Sequence, residues 1–380
     1  MRALPLVLVA FFHVACQPPV TSEPDAATPL PDAGVEPVDA GPQCGDYAHE
    51  VDGGCVTNII WTRGTKGPSG RDHHGTWLQS GTVETLFVFG GIDMAAGAAK
   101  MDAWSARIGE NGLPETWQPA PRPLFWQTGM GLDGLGDRIY AVSGITAASG
   151  QPTTTTPRVQ SIAFNADGSL GAWREEKSLP GEGRFHITAT RVGNWLFAMG
   201  GRLADGKAMP TIWKASIGAD GVLSDWTEDR AFPKPRTHHA SFAVGNRLYL
   251  SGGFDSLTFT EDPTHHRDIL TATVDPTTGA LSEWTTLPLP WDLSTHSAAV
   301  MDGFVYLVGG FDGSLNLLAK VRRAKVNDDG TLGAFEELDP MLFPRAHVHH
   351  SPMANGRIFS VGGNVGGHVV TDDVLVGDLH

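Results

Sequence analysis

From residue 58 onward the chain repeats one short pattern, an apolar run that ends in two small residues. Leu86 to Phe89 leads to Gly90-Gly91, Ile139 to Val142 to Ser143-Gly144, and Leu196 to Met199 to Gly200-Gly201. Leu248 to Ser251 leads to Gly252-Gly253, Val305 to Val308 to Gly309-Gly310, and Ile358 to Val361 to Gly362-Gly363. A short apolar run bounded by turn residues predicts a strand buried on both faces. Six such runs at a spacing of about 50 residues predict a radial array of four-stranded sheets. No long stretch has apolar positions at helical period, so little or no helix is expected in this part of the chain.

A second mark recurs between these runs. A glycine precedes an aromatic by a fixed interval: Gly112 and Trp117, Gly168 and Trp173, Gly221 and Trp226, Gly279 and Trp284, Gly330 and Phe335. Asn111-Gly112, Asp167-Gly168, Asp220-Gly221 and Asp329-Gly330 are favoured two-residue hairpin turns, because both positions tolerate positive φ. The aromatic then falls at one place on the following strand, where it is expected to pack between neighbouring sheets. A calcium loop would need alternating oxygen ligands and a distal Glu, and the Asp-Gly pairs lack both.

Together the two marks resemble the kelch repeat, and the resemblance covers residues 58 to 380. The family's Arg-x-x-His opening is matched by Arg71-Asp-His73-His74 and by Arg236-Thr-His238-His239, while Arg184-Phe-His186 has its His one residue nearer the Arg. Its Tyr before Gly-Gly is matched by Tyr249 and Tyr306. Three departures stand out: Gln127 near the His position of the second repeat, Ser143 in place of Gly, and Phe335 in place of Trp. The sixth repeat ends at its third strand, Asp372 to His380, whereas Thr57 to Trp61 reads as a fourth strand without a sheet. The expected fold is therefore all-β, a six-bladed kelch-type β-propeller over residues 56–380 whose ring is closed by an N-terminal strand. Such closure shelters edges that would otherwise pair with other chains.

The first 55 residues have a different character. Arg2, the apolar run Ala3 to Phe12 and then His13-Val14-Ala15-Cys16 read as an export signal, too short to span a bilayer. Residues 1–16 end in a sequence that resembles the lipobox of bacterial lipoproteins, which implies lipidation of Cys16. Gln17 after it implies outer-membrane sorting, with the protein periplasmic or surface-exposed. His13 departs from the lipobox, and an ordinary cleaved signal is the alternative. Residues 17–43 carry Pro, Ala, Val and five acids but no Lys or Arg, a disordered tether that reaches about 80 Å at about 3.1 Å per residue. With Cys16 assigned to lipid, Cys44 and Cys55 remain as an expected disulfide closing a small loop over residues 44–55.

Charge narrows the partners. The formal net charge is -15, with eight acids against the single Arg2 in the first 55 residues. An acidic body without a basic stripe excludes nucleic acid, and membrane contact is expected through the lipid alone, with the chain acting as a monomer. The candidate ligand residues are those the repeat brings to one mouth: Arg71, His73, His74, Arg184, His186, Arg236, His238, His239, His296, Arg345 and His349, with His347 and His350. The long loop Phe254 to Arg267 adds His265 and His266 beside Glu261 and Asp262. Convergent imidazoles suit a transition metal or an anion; the competing reading is repeat residues bonded to nearby backbone.

Two kelch-type enzymes offer comparisons. Galactose oxidase needs a Cys-linked Tyr at copper, and no Cys follows Cys55. The six-bladed sialic acid mutarotase, which uses polar groups around its mouth, supplies the alternative of a carbohydrate-active enzyme or lectin. No nucleophile elbow, phosphate loop or zinc-protease motif is present, and the sequence assigns no catalytic residue, cofactor or resident metal. The reading is a binding or scaffolding propeller for an envelope protein or glycan.

Overall fold

The computed structural model describes residues 49–51, 54–56, 58–146, 154–255 and 264–380, and of 49–56 the backbone alone. Cys16, Cys44 and residues 256–263 lie outside the described residues, so neither the lipidation nor the disulfide expectation falls within them. Cys55 is described only as backbone, in the short antiparallel pair His49–Val51 and Gly54–Val56.

Six antiparallel four-stranded sheets form the rest. Blade 1 is Gly75–Gln79, Thr85–Phe89, Ala103–Arg107 and Gln118–Pro119; blade 2 is Gly131–Leu135, Arg138–Val142, Val159–Ala163 and Arg174–Glu176. Blade 3 is Thr188–Val192, Trp195–Met199, Ile212–Ser216 and Thr227–Asp229; blade 4 is Ala240–Val244, Arg247–Ser251, Asp268–Thr273 and Thr285–Pro288. Blade 5 is Ser297–Met301, Phe304–Val308, Val321–Lys325 and Glu336–Leu338. Blade 6 takes Met353–Ala354, Arg357–Val361 and Val374–Leu379 from the C-terminus and Ile59–Arg63 from the N-terminal side. First strands of blades 2 to 6 meet in succession around the axis, and there is no helix among the described residues.

The ring closes as expected, with the closing strand running on to Arg63. Ile59 pairs with Leu379, Trp61 with Gly377 and Arg63 with Leu375. Asn58 and His380 extend the ladder by exchanging two backbone bonds of 2.9 Å.

The core consists of layers between successive blades, and the period of two in each second strand explains it. In blade 2, Tyr140 and Val142 face blade 3 and pack with Leu196 and Trp226. The alternate residues Ile139 and Ala141 face blade 1 and pack with Phe87 and Phe89. A strand covered on both sides has no polar face, so it reads as a continuous apolar run.

The recurring tryptophans tie each outer strand to the preceding blade. Trp173 Nε1 donates to Pro121 O at 2.7 Å, Trp226 to Lys177 O at 2.7 Å and Trp284 to Arg230 O at 3.2 Å. Trp61 makes the same bond across the closure, to Asp339 O at 3.1 Å. Phe335 keeps the packing position against Trp291 but has no N–H to donate.

The paired glycines are required where they stand. Gly310 has φ +93, and a Cβ there would lie 2.4 Å from Ser294 O. Ser143 adopts the left-handed conformation at φ 59 and anchors it by donating from Oγ to Thr156 O at 2.7 Å.

Candidate functional site

Each blade begins with one residue in the left-handed conformation at the axis. These are His73, Gly129, His186, His238, Thr295 and His347, with φ between 51 and 61. His tolerates this region better than most side chains. The turn lets neighbouring blades bond to each other: Gly129 N–H donates to His73 O at 2.8 Å, and His186 N–H to Gly129 O at 3.0 Å. Thr295 N–H donates to His238 O at 2.8 Å, and His73 N–H to His347 O at 3.0 Å. These four backbone bonds link neighbouring blades at one end of the axis, where four imidazoles project.

Those imidazoles gather with a fifth. Ring centroids are 3.5 Å apart for His186 and His238, 4.1 Å for His73 and His347, and 4.9 Å for His73 and His186. His349 lies 5.1 Å from His186 and 5.4 Å from His73. Phe185 and Phe254 stack against the outside of the cluster, on His73 and His238. Burial, with neighbouring His rings adding to it, holds His186, His238, His347 and His349 well below the usual imidazole range. They are therefore neutral at neutral pH. Asp72, fully buried, places Oδ1 2.9 Å from His73 Nδ1.

The other candidates are elsewhere. His74, His239 and His296 follow the left-handed position by one residue and point between blades, fully buried. His239 Nε2 meets Thr188 Oγ1 at 2.9 Å and His296 Nε2 meets Ser251 Oγ at 2.8 Å. The arginines clamp the carbonyls of the paired small residues. Arg71 Nη1 donates to Gly90 O at 3.1 Å, Arg184 Nη1 to Gly200 O at 3.2 Å, Arg236 Nη1 to Gly252 O at 3.2 Å and Arg345 Nη1 to Gly362 O at 2.8 Å. Gln127 stands in the arginine position, not the His position, with its amide donating to Ser143 O at 2.7 Å.

His238, His239, His265 and His266, which would have to converge to hold a ligand together, form no group of ligand atoms within 4.8 Å of one another among the described residues. His266 Nε2 bonds to Pro235 O at 3.0 Å, while His265 and His238 both contact Phe254, at 5.7 and 4.4 Å. The sequence reading grouped these residues by blade entry and by the long loop Phe254 to Arg267. The signal it missed is the left-handed register, which selects His73, His186, His238 and His347 and leaves their sequence neighbours in the walls.

Below the cluster runs an axial cavity of about 340 Å³, walled by the first strands of the blades. Blade 6 is the irregular wall. Its first strand is cut to Met353–Ala354, and His349, His350, Ser351 and Pro352 line the cavity instead of forming a ladder. Pro352 has no N–H for such a ladder. Ser297 and Ser351 hold this segment, through Val348 O and a 2.9 Å bond between their hydroxyls. A larger cavity of about 690 Å³ lies between the hairpin turns of blades 1 and 2, around Arg107, Glu115 and Asp167.

No family model matches the chain. Kelch-like protein 33 of Homo sapiens is 28% identical over 46% of this chain and 30% of its own length. Kelch-like protein terF of Aspergillus terreus is 26% identical over 60% of this chain and 48% of its own. The chain thus spans about half or less of the length of these curated relatives. The solved structure of YjhT superposes with a TM-score of 0.63 at 12% identity, over 83% of this chain and 99% of that one. Two kelch relatives and a shared six-bladed fold agree with the repeat pattern.

The chain is a kelch-repeat β-propeller.

On this propeller the loops leading into each first strand and those joining second to third strands open on the face that carries the His cluster. Five exposed large apolar side chains lie on these loops. Leu124 and Leu342 occupy loops between blades, at 52% and 51% exposure, and Leu315 and Val369 occupy second-to-third loops, at 42% and 53%. Arg122 Nε donates to Met101 O at 3.2 Å, tying the loop of Met101 to the loop that carries Leu124. The loops of blades 5 and 6 touch, Leu317 lying 3.7 Å from the Cβ position of Gly366.

Proposed function

We propose that the propeller is a recognition module that binds a protein partner through its His-cluster face, held at the cell envelope by a lipid on Cys16. The observation that carries this reading is the placement of Met101, Leu124, Leu315, Leu342 and Val369, apolar and exposed, on loops of one face. Apolar side chains grouped on a rigid scaffold favour protein association, since removing them from water supplies the driving force. Loops tolerate sequence change while the blades hold their positions. The acidic tether of residues 17–43 gives the body reach from a membrane surface.

A glycan ligand is the second reading, and the axial cavity favours it. Trp77, Asp133 and Arg191 line it together with Thr188 and Thr190, an aromatic face among hydroxyl and charged groups. Asp133 is already engaged, however, by the N–H groups of Gly134 and Arg191, each at 2.6 Å.

A binding screen of the purified body against free glycans and against proteins of the same envelope decides between the two readings. Saturable binding to a protein, lost when Leu342 is changed to Asp, is the expected result. Binding to a sugar with no protein ligand would replace this reading with the second. Mass spectrometry of the mature N-terminus tests the anchor separately: a diacylglyceryl Cys16 is expected, and an unmodified start elsewhere ends that part.

A further inference from the structure

Five imidazoles and a carboxylate meet at the axis, and the repeat accounts for their backbone but not for their side chains. Buried polar atoms in native proteins almost always have hydrogen-bond partners. Here His186 Nδ1, His347 Nδ1, His349 Nε2 and both oxygens of Asp72 are buried without any, the 2.9 Å approach of Asp72 to His73 aside. Ligand atoms of His73, His186 and His349 lie within 4.8 Å of one another, as do those of His186, His238 and His347. The two groups share His186, and Asp72, His73 and His347 form a third group of the same size.

We propose that this cluster binds one transition-metal ion, with nitrogen ligands drawn from His73, His186, His238, His347 and His349. A nitrogen-only donor set selects zinc, nickel, cobalt or copper over magnesium or calcium, which take oxygen ligands. The partners behind the rings are in place. Asp72 faces Nδ1 of His73 and Thr237 Oγ1 lies 3.1 Å from Nδ1 of His238, an outer-shell arrangement common to metal-binding His that leaves Nε2 as the nitrogen for an ion. Neutral imidazole is the form that binds a metal. His349 also lines the axial cavity. His73 belongs to blade 1, His186 to blade 3, His238 to blade 4 and His347 and His349 to blade 6, so the ion would pin four blades together at the axis. The site is independent of the protein-binding reading and stands or falls without it.

The test uses the full, untagged chain, stripped with chelator, exposed to Zn²⁺ or Co²⁺, desalted and analysed for metal. About one ion per chain is expected, with visible absorption bands of Co²⁺ in nitrogen coordination and a higher melting temperature in the loaded protein. His186→Asn keeps a residue that tolerates left-handed φ, and His349→Ala lies outside the left-handed positions; each is expected to weaken binding at least about 10-fold. Asp72→Asn is expected to weaken it by about 10- to 100-fold, and His266→Ala to leave it unchanged. Wild-type protein that retains fewer than about one ion per ten chains overturns the proposal. Equal binding by folded His186→Asn and His349→Ala variants would place the ion elsewhere and overturns it too. The wild-type stoichiometry and Co²⁺ spectrum decide the matter even if a variant fails to fold.

Discussion

Truncating Trp61 to Ala tests ring closure at a single side chain. Trp61 is 9% exposed and packs in the layer formed with Leu338, Met341, Ile358 and Leu375. Its ring reaches within 3.0 Å of the Cβ position of Gly377 on the neighbouring strand, and its N–H bonds to Asp339 O at 3.1 Å. Removing a large aromatic from such a layer costs about 3–5 kcal/mol, a figure that includes about 1 kcal/mol for the hydrogen bond. Ile60, on the same strand but 57% exposed, provides the contrast, and Ile60→Ala is expected to change stability by less than about 0.5 kcal/mol. Trp226 is the matching residue inside blade 3, 6% exposed with its N–H 2.7 Å from Lys177 O. Trp226→Ala is expected to cost about as much as Trp61→Ala, since both occupy one repeat position. Urea unfolding followed by far-ultraviolet circular dichroism reads all three, with the midpoint of Trp61→Ala expected to fall by about 1 M or more. If Trp226→Ala is destabilised while Trp61→Ala unfolds with the wild type, the N-terminal strand does not close the ring.

Three further outcomes follow from named contacts. Gly310→Ala, at φ +93 with Ser294 O 2.4 Å from the new Cβ, is expected to lose more stability than Gly303→Ala, at φ +80 with nothing within 4 Å; the latter costs about 1–2 kcal/mol for the backbone conformation alone, and equal urea midpoints would refute the clash. Arg345→Ala leaves the carbonyls of Ser360 and Gly362 without the donor now at 3.1 and 2.8 Å, and a loss of at least about 2 kcal/mol is expected in the same assay. Burial lowers His296 to about 3 and His350 to about 4 from 6.5, and lowers His186, His238, His347 and His349 in the same direction. The unfolded chain therefore binds more protons below pH 6.5, so stability is full above that pH and falls as pH drops, by about 1.4 kcal/mol per unit for each His in its window. Asp133, which burial raises to about 6, opposes this as a single group. A midpoint at pH 5.0 equal to that at pH 7.5 would contradict the neutral, buried cluster.

The blades were legible because the demands that build them are local and repeated. A second strand covered on both faces has to be apolar along its length, and the turn after it has to hold residues such as Gly310. Trp61 betrayed the closing strand because a hairpin aromatic without its hairpin had only one vacant position to fill. The axis was less legible. His73 and His74 are adjacent in sequence, yet a left-handed backbone turns the first to the centre and the second into the wall beside Gly362, and side-chain type does not encode that difference. Gly129, aligned with His73 and His186, was the one written sign of the required φ. Blade 6 hid a second departure: Pro352 marks the loss of its inner ladder, which sends His349 to the axis.

The recognition face is tested most directly by cross-linking the intact protein in the envelope of cells that make it and quantifying linked peptides by mass spectrometry. Three forms are compared: wild type, a Leu315→Asp, Leu342→Asp, Val369→Asp variant of the His-cluster face, and an Ile60→Asp, Val222→Asp variant of exposed apolar positions elsewhere. The account predicts reproducible links from the His-cluster loops to one partner, reduced at least about 10-fold in the triple variant, as for loss of central contacts in an interface, and unchanged in the double variant. Links that survive the triple variant, or that vanish only in the double variant, would contradict it.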